Sequence, residues 1–278
     1  MPSLSLPLVD PRPDDGRRRL RADCANCAGL CCVGPAFAAS ADFAVDKPAG
    51  TPCPNLGGDF RCGIHAHLRD RGFSGCEVFD CFGAGQQLTQ VTFGGHSWRE
   101  APEVAAAQFA VLPVMRQLHE ILWYLTEALS LPAATPLHDE VRTAQERTEG
   151  LTAGTGEELT AFDVGAYRRE VGELLGRVSE LVRGSRAPDR RGADLMGRDL
   201  RRKPLRDASL RGAYLIRADL RGVDLGAADL LGADLRAADV RGADLSRCLF
   251  LTRPQVQAAW GDTSTRLPVV LDRPAHWA

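Results

Sequence analysis

Hydrophobic positions follow three different rhythms along this chain, and each predicts a different kind of structure. From Ala193 to Phe250 a large apolar residue returns at every fifth position, from Leu195, Leu200 and Leu205 through to Val240, Leu245 and Phe250. A small residue stands two places before most of them, as at Ala208, Ala213, Ala218, Ala228 and Ala233. A period of five is neither the 3.6 of a helix nor the 2 of a strand. Self-similarity at a fixed period predicts a stacked solenoid, here with one large and one small inward residue per unit. Between Pro102 and Val182 the apolar residues recur instead at steps of three and four. The spacing predicts a helix from Pro102 to about Pro132, bent at Pro113, a weaker one over 136–149, and a third over 163–182. Asp163 is its expected N-cap and Gly184 its stop. The first and third are expected to pair antiparallel, Val111, Leu118 and Leu125 against Val171, Leu174 and Val178. The front of the chain has no such rhythm. It is rich in Gly and Pro, with one short helix expected from Ile64 to Arg71.

The triplets Ala218-Asp219-Leu220, Ala233-Asp234-Leu235 and Ala243-Asp244-Leu245, held in register across the period-five stretch, resemble the pentapeptide-repeat family. The resemblance implies a right-handed quadrilateral β-helix with four units per turn. Leu195 would then stack on Leu215 and Leu235, and Leu200 on Leu220 and Val240. Arg198, Lys203 and Pro204 interrupt the pattern and predict a loosened first turn. The fold class expected is a multi-domain α+β protein: a disordered arm over 1–20, a cysteine-rich module over 21–99, a helical segment over 100–184, the β-helix over 190–250 and a cap over 251–278.

Composition narrows the function classes. The chain is 44% hydrophobic and 25% charged, with a formal net charge of -2, so no polyanionic partner follows from the total. The distribution is uneven: 8 Lys and Arg against 15 Asp and Glu lie between Glu100 and Asp189, but 13 against 9 between Arg190 and Phe250. No apolar run approaches the roughly 18 residues of a membrane span. Arg17, Arg18 and Arg19 follow a short Pro-broken apolar piece, the reverse of a secretory signal. A cytoplasmic location is therefore expected.

Eight of the nine cysteines fall between Cys24 and Cys81. In a reducing compartment such crowding points to metal ligation before disulfides. Thiolates are soft ligands that suit zinc or iron, and a C-x2-C pair lets one turn present two of them. Eight thiolates could make two four-cysteine sites or one polynuclear, iron-sulfur type site; the bland alternative is reduced structural thiols or a redox pair at Cys31 and Cys32. Cys24, Cys27, Cys31 and Cys32, then Cys53-Pro54-Asn55-Leu56, then Asp59-Phe60-Arg61-Cys62-Gly63-Ile64, then Cys76 and Cys81, together resemble the family of zinc- or iron-chelating cysteine-rich domains. The chain departs from that family at Gly72-Phe73-Ser74-Gly75-Cys76, where an Arg-Pro pair would precede the cysteine. The candidate metal ligands are Cys24, Cys27, Cys31, Cys32, Cys53, Cys62, Cys76 and Cys81, with His65, three residues after Cys62, or else His67 as a candidate to complete a site. At least four of the sulfurs are expected within about 4 Å of one another, the spacing of thiolates around one tetrahedral ion. His96, His119 and Cys248 are read as structural.

Arg201, Arg221 and Arg241 would stack as a basic ladder, but Asp199, Asp219 and Asp239 two residues earlier point the same way and should neutralise it. The sequence thus reads as a cytoplasmic zinc- or iron-binding protein whose repeat recognises a protein partner, and neither nucleic acid nor a membrane. A metal- or redox-dependent enzyme is the alternative. Topoisomerase regulation through the repeat, known among pentapeptide-repeat proteins, carries low weight because the rod is short and net positive.

Overall fold

The computed structural model describes residues 16–277, so the expected arm lies mostly outside the described residues. Its last part is packed: Arg18–Leu20 forms a 3-10 turn, and Leu20 is buried in the main core. The regular elements are helices. Leu30–Val33 (α1), Ser74–Val78 (α2) and Ala84–Gln86 (α3) belong to the cysteine-rich front, and α3 runs on into a wider π turn over Gln87–Thr92. The helix expected over Ile64 to Arg71 is reduced to a 3-10 turn at His65–His67.

The middle is a helical bundle. Pro102–Ser130 (α4) begins on Pro102, whose missing N–H costs nothing in a first turn, and carries Pro113 inside it. His138–Thr152 (α5), Gly156–Ala161 (α6) and Val164–Arg183 (α7) all pack against α4. The Asp163 side chain accepts the Ala166 N–H, and Gly184 ends α7 at φ +80°. Val111, Leu118 and Leu125 are buried as the periodicity requires, but α7 buries Val171, Leu175 and Val178, with Leu174 only partly covered. The expected pair is a larger bundle in which α5 and α6 share the face of α4.

The period-five segment forms a coil that returns on itself every twenty residues. Parallel bridges join Asp199 to Asp219 to Asp239, Tyr214 to Asp194 and Asp234, and Ser209 to Asp189 and Asp229. Leu200, Leu220 and Val240 are all buried, as are Ala208, Ala218 and Ala238. The expectation of a quadrilateral β-helix, and with it the α+β class, is corrected here: among the described residues there is no strand and no sheet. Each five-residue unit spends two residues on a corner, so pairing between turns shrinks to isolated single-residue bridges instead of ladders. The protein is helical, with a turn-built coil at its back. The corners demand left-handed backbone, supplied at Gly222 (φ +68°) by glycine and at Arg217 (φ +56°) at some strain. Lys203 is exposed and Pro204, lacking an N–H, forms no bridge to the next turn, which is the loosening the sequence predicts there.

After the coil, Arg253–Ala258 (α8) starts with a capping box between Thr252 and Gln255. Trp277 then folds over the end: it is buried, its Nε1–H donates to the Ala259 carbonyl at 3.0 Å, and a Cβ on Gly261 would meet its ring at 2.4 Å. Bundle and coil share one continuous core. Arg211 donates to the Gly172 carbonyl at 2.8 Å, and Tyr124 meets Phe250 edge to face.

Glu127 lies at this seam, its Oε1 accepting the Phe250 N–H at 2.6 Å with Arg17 at 4.0 Å. Burial pushes its carboxyl up to about 7 from an ordinary 4.5, against the opposing pull of the Phe250 amide and Arg17. Folding therefore takes up a proton between those values, so this group's contribution to stability falls as pH rises through them. Glu127→Gln keeps an acceptor for Phe250 and removes the titration. In denaturant unfolding, wild type should lose up to about 3 kcal/mol relative to the variant between pH 5 and pH 7.5; parallel curves would show that Glu127 is not desolvated.

Candidate metal centre

The cysteines are placed by a chain of short, mutually bonded turns. Gly29, at φ +66°, turns the chain into α1, which carries Cys31 and Cys32. The Cys53 N–H donates to the Cys32 carbonyl at 2.9 Å, and a bridge between Leu56 and Cys62 closes the loop that holds Cys53 and Cys62. Cys76 lies on α2, its N–H bonded to the Phe73 carbonyl. Cys81 precedes the sharp Phe82-Gly83 turn, which α4 holds from behind: His119 Nδ1 lies 2.7 Å from the Phe82 carbonyl, and Arg116 Nε donates to the Asp80 carbonyl at 2.8 Å. Burial drops the His119 pKa to about 4, so it is a neutral structural clamp.

All eight candidate cysteines, and His65, line one cavity of about 1010 Å³. Its opposite wall comes from far away in sequence, with Trp123 of α4, Arg253 and Gln257 of α8, and Asp272 and His276 of the tail. Arg21 donates to the Val270 carbonyl at 3.0 Å across this junction. Cys53 is buried, Cys24 and His65 are exposed, and the remaining six are half-buried. His67 is exposed, 4.0 Å from Asp70, while His96 lies on the surface. Cys248 sits in the core of the coil, well away in role from the other eight.

The sulfurs converge on the cavity without closing to contact. Cys31 Sγ and Cys32 Sγ are 4.0 Å apart. No group of three His, Cys, Asp or Glu among the described residues stands close enough to grip an ion as it is, so the expected cluster of four sulfurs within about 4 Å is not formed.

The electrostatics are those of crowded thiols. Burial first, then the neighbouring sulfurs, raise Cys24 and Cys62 and push Cys76 up to about 12, while burial and then the adjoining Asp80 carboxylate, ahead of Cys24, raise Cys81. The adjacent Cys31 and Cys32 sulfurs, 4.0 Å apart, share one contact in which either can be the donor, so one of the two thiols is raised and the other lowered by it. Backbone amides oppose the burial: Leu30 and Gly29 N–H point at the Cys27 sulfur, Gly85 and Gly83 N–H at Cys81, and Ile64 N–H at Cys62. Amide donors favour the thiolate over the thiol, and the thiolate is the form a metal takes. The donor set, a soft-sulfur cavity with amides aimed at the sulfurs, fits zinc or iron.

Three residues that hold the cysteine turns in place, Lys47, Thr89 and Gly85, were missed by sequence reasoning. Lys47 is 4% exposed, and its Nζ donates to the carbonyls of Val33, Pro35, Pro48 and Thr51. Its charge faces Cys53, Cys32 and Cys76. Thr89 Oγ1 accepts the Ala28 N–H and donates to the Gly85 carbonyl, tying the Cys27 turn to the Cys81 turn. Gly85 lets the two approach, since a Cβ there would stand 2.6 Å from Cys27 Sγ. The spacing Gly85-x3-Thr89, one helical turn, is the signal that could have marked the last two.

On the coil, Arg201, Arg221 and Arg241 each bond Asp199, Asp219 and Asp239 at 2.6 to 2.7 Å, and Arg201 and Arg221 also reach the next Asp, at 3.3 and 3.6 Å. The ladder is self-neutralised and offers no free basic stripe.

Residues 191–226 and 208–250 match the family of pentapeptide repeats, in eight copies. Beyond the repeat, the chain is 55% identical over 264 residues to a Bacillus subtilis (strain 168) protein, "Uncharacterized protein YybG", covering 93% of this chain and 95% of that one. The chain belongs to the YybG family. The match embraces the cysteine-rich front and the bundle as well as the coil, so these parts travel together as one architecture. It does not by itself extend to the zinc- or iron-chelating domains. No described helix is long and apolar enough to cross a membrane.

Proposed function

We propose that this is a zinc- or iron-binding protein in which the cysteine-rich front holds the metal and the pentapeptide coil serves as a scaffold for a protein partner. The observation that carries the metal reading is the meeting of Cys24, Cys27, Cys31, Cys32, Cys53, Cys62, Cys76 and Cys81 on one cavity although they span most of the first eighty residues. The segment has only a small hydrophobic cluster of its own around Phe37, Leu68 and Phe73, and ligation energy can add to folding energy there. The scaffold reading rests on the repeat, where the stacked Arg201, Arg221 and Arg241 are paired with aspartates while other outward side chains of the coil remain exposed for recognition.

A second reading, a metal- or redox-dependent enzyme, is favoured by the far wall of the same cavity. Arg253, Asp272 and His276 line that cavity together with the cysteines, so groups other than sulfur stand beside it, and a catalytic ion needs an open ligand position next to such groups. Anaerobic purification followed by elemental analysis and a visible spectrum tests the metal reading. Bound zinc or iron in simple ratio to chain is expected. Full-length protein free of both, with eight thiols titrating by a chromogenic disulfide reagent in the native state, would overturn it.

A further inference from the structure

We propose that the eight cysteines form two separate four-thiolate sites, Cys24, Cys27, Cys31 and Cys81 in one and Cys32, Cys53, Cys62 and Cys76 in the other, set back to back across the Cys31–Cys32 peptide bond. This rests on the metal-binding reading above and specifies how the ligands are shared.

Packing separates the two sets. Cys53 is buried in a small hydrophobic cluster of its own with Phe37, Leu68 and Phe73, and Cys32, Cys62 and Cys76 are the cysteines packed against it. Cys27 belongs instead to the main core, with Leu30, Phe82 and Ala84. Backbone contacts divide the same way. The Cys53 N–H reaches the Cys32 carbonyl, and the bridge at Leu56 and Cys62 brings Cys62 back beside Cys53. Cys27 and Cys81 are joined through Thr89 and by the close approach of Gly85 to Cys27 Sγ.

The adjacent pair is where the sets meet. Consecutive residues on a helix leave it in directions about 100° apart and do not share a face. Cys31 and Cys32, both on α1, therefore leave it in different directions; their sulfurs, 4.0 Å apart, are near enough to share an ion, so the division at this pair is set by the packing of the other six cysteines.

The two sites also counter negative charge differently. The first has amides, Gly29 and Leu30 toward Cys27 and Gly83 and Gly85 toward Cys81. The second has the buried ammonium of Lys47 beside Cys53, Cys32 and Cys76. Neutral dipoles and a full charge stabilise bound thiolates to different degrees, so the sites should differ in affinity.

The test is metal stoichiometry in the full chain by native mass spectrometry and elemental analysis, with Cys27→Ser/Cys81→Ser and Cys62→Ser/Cys76→Ser variants. Wild type should hold two ions, and each variant one. Cobalt(II) titration of reduced, metal-free wild type, which needs no variant to fold, should show two successive steps in the thiolate-to-cobalt absorption. A wild type with two or more ions, all lost from either variant, would mean one polynuclear cluster and overturn the partition. One ion in wild type would overturn it too while leaving the metal-binding reading intact; only a wild type that binds no metal, cobalt included, fails both.

Discussion

Leu220→Asp should collapse the coil, whereas Arg221→Ala, one residue away, should leave the melting temperature close to that of wild type. Leu220 is wholly buried, its N–H donating to the Asp239 carbonyl of the next turn at 2.8 Å, and the adjoining Asp219 is bridged to the turns on both sides. Leu200 and Val240, at the same place in the adjoining turns, are buried in the same apolar core, as are Ala218 and Ala238, so a carboxylate there would be set among hydrocarbon. An unpaired buried charge belongs to the few substitutions that cost more than about 4 kcal/mol. Arg221 points outward and bonds only Asp219 and Asp239. Because coil and bundle share a core, the Leu220→Asp loss should be seen by circular dichroism as well as in repeat-specific hydrogen exchange. Equal shifts for the two variants would contradict the inward and outward assignment.

Lys47→Met should open the loop from Val33 to Cys53. Methionine keeps the length and apolar stem, and can still pack on Phe37, over whose ring the ammonium now lies at 4.7 Å. It gives nothing to the four carbonyls that converge on Nζ. Hydrogen bonds from a charged donor are worth roughly 1.5 to 3 kcal/mol each, so even partial rehydration leaves a cost of about 3 kcal/mol or more. Amide exchange over Val33 to Cys53 should quicken while that of α4 and α7 is unchanged. Unaltered protection in the loop would show that the lysine is a passenger there.

How much of this was legible in the sequence depended on whether the cause was local. The coil could be read because a narrow interior admits only a large and a small side chain in alternation, and Leu215, Ala218 and Leu220 repeat that demand in the text itself. Helix ends were legible where a residue type enforces them, as at Pro102, Asp163 and Gly184. The strand content was misjudged for a geometric reason: extended residues exist in every unit, but the corner after each leaves none long enough to build a sheet. The bundle face was off by one position at Leu174 because α5 and α6 take part of the surface of α4 that a simple pair would have used. At the cysteines, ligand types could be named one by one, while the facts that assemble them, Lys47 under four carbonyls and Thr89 between two turns, are long-range contacts without periodicity. The wall opposite the sulfurs was not legible at all, since nothing in Arg253 or His276 refers to residues near Cys24.

That opposite wall sets an order of events during synthesis. The cysteines emerge from the ribosome first, and the turns that carry them can form at once, but Arg253, Gln257, Asp272 and His276 follow only after the bundle and every turn of the coil have been made. Until then the thiols look out on solvent on the side the tail later covers. The nascent chain thus passes through a period in which its sulfurs lack that wall, and docking of the tail completes the cavity while leaving Cys24 exposed.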